Sequence, residues 1–292
     1  MLRKYLTLIL TGLTLLSYSI ISGNGDIRPC DTSTGNGPKF YLDQINLLGK
    51  DKKTFVQFYI QVNCAELQFI RYEGQYQARY NIDIRINDKN DDLVDSQTIC
   101  DTFTVKSYEK TQSNDAARIS RYSISLEPED YQLEVYLMDW ETQQISHIKK
   151  NITVPDFGKQ HLIMSDIQLS PDVKPAQVGR PFVTEQWYIE PNLTNLFIHG
   201  ISDTYIYFEI YNIKNAKESN SVLTIDFIIY NKKGKEIRRF NRQVPVTARN
   251  MGIKLDFCGK WLVKGDYVLT VQVQQDTSEN TVIASEKFSV IR

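Results

Sequence analysis

A catalytic site needs a nucleophile, a base or a metal cluster within reach of one another, and the residues able to supply one are few in this chain. The three histidines, His147, His161 and His199, fall in different parts of the sequence. None belongs to a metalloprotease, zinc-ribbon, phosphate-loop or nucleophile-elbow pattern, so each reads as a structural histidine. Asp88, Asp91 and Asp92 crowd one turn and could offer oxygen ligands to calcium. They lack the glycine and distal glutamate of an EF-hand loop, and acidic turns are usually just solvated. Glu185, Glu190 and Asp203 could be imagined as a glycosidase pair, but no spacing supports one. The expectation is therefore no catalytic residue, no metal ligand and no cofactor.

Aromatic residues are the stronger signal. The chain holds 17 tyrosines and 3 tryptophans. Trp187 and Tyr188 lie in a loop-like stretch between Pro181 and Pro191, where exposed rings could stack on sugars or anchor a protein partner. Tyr205 and Tyr207, with Tyr59, Tyr136 and Tyr211, fall at the water-facing positions of apparent strands and could form an adhesive sheet face. The structural alternative is that one domain packs on the other and covers them. Trp187, Tyr188, Tyr205 and Tyr207 are the candidate binding residues.

The elements that would position these residues are strands. Tyr80, Ile82, Ile84 and Ile86 alternate with Asn81, Asp83, Arg85 and Asn87, giving one dry and one wet face. Val56 to Val62 and Tyr131 to Leu137 alternate in the same way, as expected of antiparallel sheets packed in two layers. The turns Asn87 to Asp92 and Asn231 to Gly234 carry residues that accept left-handed backbone. The order of parts then repeats: Thr54–Val62 corresponds to Thr204–Ile213, Tyr80–Leu93 to Leu223–Ile237, and Glu129–Asp139 to Gly265–Gln275. Each copy has the size of an immunoglobulin-like sandwich, about 120 residues and roughly seven strands. Tyr131 and Tyr267 open equivalent strands, where a core tyrosine would return its hydroxyl to nearby backbone.

The first residues differ from the rest. Arg3 and Lys4, the apolar run Tyr5–Leu16 and the small polar stretch Ser17–Gly25 have the layout of a cleavable secretory signal. The run is too short for the ~20 residues that span a bilayer, which argues against an integral membrane protein. Cys30 follows Ile27, Arg28 and Pro29, which are not the small residues that lipoprotein processing needs. Export permits disulfides. The four cysteines allow three pairings; Cys64 with Cys100 is favoured because both flank strands of one domain, and buried thiols are the alternative. A net charge of −1 over 292 residues offers no field to gather phosphate backbones, which argues against nucleic acid.

Several segments resemble the amino-terminal part of the GWxTD-domain proteins, an exported bacterial family: Phe40–Asp43, Glu66–Ile70, Tyr76–Tyr80, Ser165–Leu169, and Pro191-Asn192 followed by Tyr207–Asn212. The Gly-Trp-x-Thr-Asp motif does not occur, and the helix-rich carboxy-terminal region that bears it has no counterpart. The resemblance implies the two-sandwich portion, export and a bacterial envelope setting, and it brings no chemistry.

The sequence thus predicts an all-β chain: a signal peptide (1–23), a flexible leader (24–38), a first β-sandwich (39–157), a linker with the first strand of the next domain (158–181), and a second β-sandwich (182–292). The function expected is that of a non-catalytic structural or protein-interaction module in the periplasm or at the cell surface, binding another envelope protein. A carbohydrate-binding accessory module is the alternative.

Overall fold

The computed structural model describes residues 30–51, 53–114, 116–159, 161–176, 187–200, 204–214, 221–257, 261–275 and 281–291. The signal segment, the start of the leader, Cys258, Glu185 and Asp203 lie outside them. The chain is all-β. Helix among the described residues is confined to one turn at Tyr108–Thr111 and a 3-10 turn at Cys64–Glu66, and none is long and apolar enough to cross a membrane.

The first half contains β1 (Asp31–Thr32), β2 (Thr34–Gly35), β3 (Phe40–Leu48), β4 (Thr54–Asn63), β5 (Ile70–Tyr72), β6 (Gln75–Asn87), β7 (Leu93–Val105), β8 (Ala117–Leu126), β9 (Asp130–Asp139) and β10 (Ile145–Thr153). One sheet runs β1-β3-β4-β8; the other runs β2-β10-β9-β6, with β5 and β7 also on β6. The alternating residues behave as their period demands. Phe58 and Ile60 of β4 face Tyr80, Ile82 and Ile84 of β6 and Leu133 and Val135 of β9 in one core, each at most 1% exposed.

The second half contains β11 (Ile163–Met164), β12 (Gln168–Ser170), β13 (Val173–Pro175), β14 (Trp187–Ile189), β15 (Leu196–Ile198), β16 (Tyr205–Tyr211), β17 (Val222–Asn231), β18 (Glu236–Pro245), β19 (Met251–Asp256), β20 (Gly265–Gln275) and β21 (Thr281–Ile291). Here β16 pairs β11 and β12 along one side and β19 along the other, and the opposing sheet runs β15-β21-β20-β17-β18. The order β21-β20-β17-β18 matches β10-β9-β6-β7 of the first half. A separate core holds Ile206, Phe208, Phe227, Leu269 and Val271. The corner tyrosines are equivalent as well: Tyr131 donates to the Glu127 carbonyl at 3.0 Å and Tyr267 to the Val263 carbonyl at 2.8 Å.

Two sequence expectations are corrected. The leader is not flexible from residue 30 onward, because β1 pairs β3 and β2 pairs β10, so this short segment crosses from one sheet to the other. Its glycines are explained by that crossing. Gly35 sits at φ +122°, and a Cβ on Gly37 would lie 2.4 Å from the Ile145 carbonyl carbon; only glycine permits so close an approach. The disulfide between Cys64 and Cys100 does not form. Cys64 is buried in the turn after β4 and Cys100 is exposed on β7, in the opposite sheet, and both are free thiols.

Candidate functional site

Trp187 and Tyr188 do not lie in a loop. They form β14, which is zipped to β13 with Trp187 opposite Pro175 and Tyr188 opposite Lys174. Both are half-buried, as is Tyr205. Lys254 stands opposite Tyr207 in the β16–β19 ladder, and its ammonium lies 4.6 Å from the Tyr205 ring and 5.7 Å from the Trp187 ring. This is cation–π range for both. Tyr207, at a nominally water-facing strand position, is only 2% exposed and packs with Val173 and Ile189.

The reason is general to this side of the molecule. Ile206, Phe208 and Ile210 point into the second core, so Tyr205, Tyr207, Glu209 and Tyr211 must point out of it. In the first half the outward positions are Ile45 and Leu47 on β3 and Phe55, Gln57 and Tyr59 on β4. These two outward faces meet. Ile45, Leu47 and Tyr59 cluster with Leu193 of the second half. The Asn46 backbone and side-chain amides both donate to Asp166 Oδ2 at 2.7 Å, and the Leu48 amide donates to the Tyr211 hydroxyl at 3.0 Å. Tyr59 and Tyr211 are therefore covered across the junction and Tyr207 by β13 and β14 of its own half, and the water-facing adhesive sheet is not present at these positions.

The faces diverge to leave a cleft of about 550 Å³ whose walls include Leu47, Phe55, Gln57, Tyr207, Glu209 and Tyr211. Glu209 organises its floor: Tyr207 Oη donates to Oε1 at 2.7 Å and Tyr211 Oη to Oε2 at 2.8 Å. Burial and the adjacent carboxylate push the Tyr211 phenol well above its ordinary value. Gly252, across the ladder, leaves room for the Tyr207 ring, whose hydroxyl would be 3.0 Å from any Cβ there.

A second group lies elsewhere on the same junction. Asp43 of β3, Asp166 between β11 and β12, and Glu286 of β21 line a cleft of about 400 Å³ with Asp31, Asn46 and Lys150. Loss of water around it pushes the Asp43 carboxyl up to about 7. The same cause raises Asp166, against the two Asn46 hydrogen bonds. Glu286 is raised well above the carboxylate range by desolvation and by the charges of Asp43 and Asp166. Sequence reasoning missed these three. Asp43 and Asp166 do sit inside two of the segments singled out above, Phe40–Asp43 and Ser165–Leu169, which was the only signal available.

The remaining polar residues are spent locally. His147 stacks on Tyr136 at 5.9 Å, and His199 Nδ1 is 2.5 Å from the Leu262 carbonyl oxygen. Asp88 Oδ1 accepts from the Asn90 and Asp92 amides, at 2.8 and 3.0 Å, and so holds its turn. Glu190 lines a small cavity at the junction. Among the described residues no group of three or more His, Cys, Asp or Glu is arranged to hold a metal ion.

The fold and the junction define an all-β chain with a cleft between two sheet faces. No protein-family model and no curated protein sequence matches it. Among solved structures it is similar to a glycosyl hydrolase family 2 member from Bacteroides cellulosilyticus, at 10% identity and a TM-score of 0.26 over 80% of this chain and 26% of that one. A second family 2 member, from Bacteroides cellulosilyticus DSM 14838, gives 10%, 0.26, 80% and 28%. A calcium binding mutant of Bacteroides uniformis beta-glucuronidase 2 gives 10%, 0.25, 85% and 28%. The chain spans little more than a quarter of each of those proteins, and likenesses this slight carry no functional argument.

Proposed function

We propose that the chain is an exported, non-catalytic binding protein of the bacterial envelope, related to the amino-terminal portion of the GWxTD-domain proteins, which holds a segment of another envelope protein in the cleft between its two sheet faces. The observation that carries this reading is the cleft itself. Its volume of about 550 Å³ falls in the range of ligand sites, and its walls combine aromatic surface with a few fixed polar groups, as such sites do. Glu209 is the sole carboxylate among its lining residues, and no histidine lines it, so neither a glycosidase pair nor a serine–histidine couple is at hand. The near-neutral charge favours neither nucleic acid nor anionic lipid as the partner.

A carbohydrate ligand is the second reading. It is favoured by Trp187 and Tyr205, two half-buried rings bridged by Lys254, since ring faces beside a polar group suit sugars.

Both readings are tested by filling the cleft. Ser125 is exposed at its wall, so Ser125→Trp should occlude it without touching either core. Partners captured by photo-crosslinking from position 50, an exposed lining position of the same cleft, in envelope extracts should be lost from Ser125→Trp and kept by Trp187→Ala with Tyr188→Ala. Full retention by the filled variant would refute the cleft as the binding site. Glycan-array binding that disappears with Trp187→Ala would move the assignment to the second reading.

A further inference from the structure

We propose that two copies of this chain associate edge to edge, the acidic β6–β7 hairpin of one against the basic β17–β18 hairpin of the other.

The two hairpins hold equivalent places in the two sandwiches and are built alike. Each ladder shifts register beside its turn, at Ile86/Asn87 and at Ile229/Tyr230. A side-chain oxygen closes each turn: Asp88 Oδ1 accepts from the Asn90 and Asp92 amides, and Asn231 Oδ1 accepts from the Lys233 and Lys235 amides. Asp91 and Gly234 take the same left-handed backbone, at φ +68° and +74°. Position for position, Asn90, Asp91 and Asp92 therefore correspond to Lys233, Gly234 and Lys235.

Charge is what differs. Residues 87–105 hold five aspartates and one lysine, whereas 231–245 hold three lysines and three arginines against one glutamate. Part of this charge is satisfied locally: Asp95 and Asp101 accept from Tyr122 and Arg118 of β8, Arg239 pairs with Glu236, and Lys232 with Asp266. Among the described residues, Asp91, Asp92, Lys233, Lys235 and Arg242 make no ion pair. Both outer strands are also sheet edges. Among the described residues β7 is bonded only to β6, and β18 only to β17. Each edge exposes an aliphatic side chain at the equivalent position, Val94 at 46% and Ile237 at 42%.

An edge with open amides and carbonyls accepts a further strand, and charge is the usual guard against that. Here like charge keeps one β7 from another β7 and one β18 from another β18, while the unlike pair attracts. Laid side by side in the same direction, β7 of one copy and β18 of the next bring Asp92 beside Lys235 and Val94 beside Ile237. That is an apolar contact flanked by opposite charges. The occupant this complementarity fits is the chain itself, because one copy carries both halves of the contact and does not pair them with each other. Since the two patches differ, the contact is head to tail.

Sedimentation equilibrium of the purified protein, with no ligand added, reads this independently of what the 550 Å³ cleft binds. The mass should exceed that of one chain at low ionic strength, and the association constant should fall at least about tenfold from about 0.05 M to about 0.5 M sodium chloride. Exchanging the turns isolates the cause. Asn90→Lys with Asp91→Gly and Asp92→Lys makes both turns basic, and Lys233→Asn with Gly234→Asp and Lys235→Asp makes both acidic. Each variant alone should be a monomer, and an equimolar mixture of the two should associate again. A wild type that stays monomeric at low salt overturns the proposal and leaves the basic hairpin to a partner of another kind. A mixture that stays monomeric overturns it too, as does either variant associating alone as the wild type does. Should circular dichroism show that a triple variant does not fold, Asp92→Lys and Lys235→Asp made singly must each weaken association, and an unchanged constant in both overturns it.

Discussion

The two corner tyrosines allow the separateness of the cores to be tested by removing one oxygen atom at a time. Tyr131 and Tyr267 are each 6% exposed, and each hydroxyl reaches the carbonyl four residues earlier, at 3.0 and 2.8 Å. Tyr→Phe keeps the ring and its burial, so the loss is one phenol–carbonyl hydrogen bond, about 1 kcal/mol net. Truncation to alanine would instead add a cavity and cost several times more. For a sandwich of this size, with a urea slope near 1.5 kcal/mol per molar, the midpoint should fall by roughly 0.7 M. Because Tyr131 belongs to the first core and Tyr267 to the second, each substitution should act on its own half. Hydrogen exchange resolved by peptide, followed through a urea titration, separates them: Tyr131→Phe should lower protection of β4, β6 and β9, and Tyr267→Phe that of β16, β17 and β20. Equal loss in both halves from either substitution would refute two independently closed cores, and a shift below about 0.3 kcal/mol would refute a working hydrogen bond at the corner.

Other outcomes follow from single contacts. Gly37→Ala has no room for its methyl against Ile145 and Ser146 and should cost about 1–3 kcal/mol in thermal or urea unfolding. Gly74→Ala meets nothing within 4 Å but sits at φ +78° and should cost only about 1 kcal/mol; the reverse ranking would refute the leader crossing. Cys100, exposed on β7, should be alkylated in the folded protein. Cys64, buried and with its thiol pushed up by that burial, should react only on unfolding; comparable labelling of both peptides by mass spectrometry would refute their placement.

What was legible in the sequence is what short-range physics determines. The alternation from Tyr80 to Ile86 specified a half-wet strand without any partner being known, and β6 carries Tyr80, Ile82, Ile84 and Ile86 at most 1% exposed while Arg85 is exposed. The turns were legible for a similar reason: Gly234 takes φ +74° and Asp91 φ +68°, as their side chains permit. The ordered part of the leader was not legible, because two-residue strands have no period. β1 and β2 exist only through partners at Leu42 and Ser146, and their glycines read locally as flexibility when they serve a close approach instead.

The junction shows a different limit. Period-two alternation says which residues avoid their own core, and it says nothing about what meets them outside it. For Tyr59, Tyr207 and Tyr211 it therefore left an open face and a covered one both available, and all are at most 4% exposed. Their abundance was informative even so, since water does not require large rings on an outward strand face and a neighbouring sheet does. The carboxyls were harder still. Asp43, Asp166 and Glu286 are separated by more than a hundred positions at each step, and an isolated acidic residue on a strand is ordinary. Only the face-to-face arrangement makes them neighbours, and it places them on the same junction as the Glu209-floored cleft. They reach it from different elements: Glu286 comes from β21, in the sheet opposite β16, whereas Tyr207, Glu209 and Tyr211 of the larger cleft all come from β16.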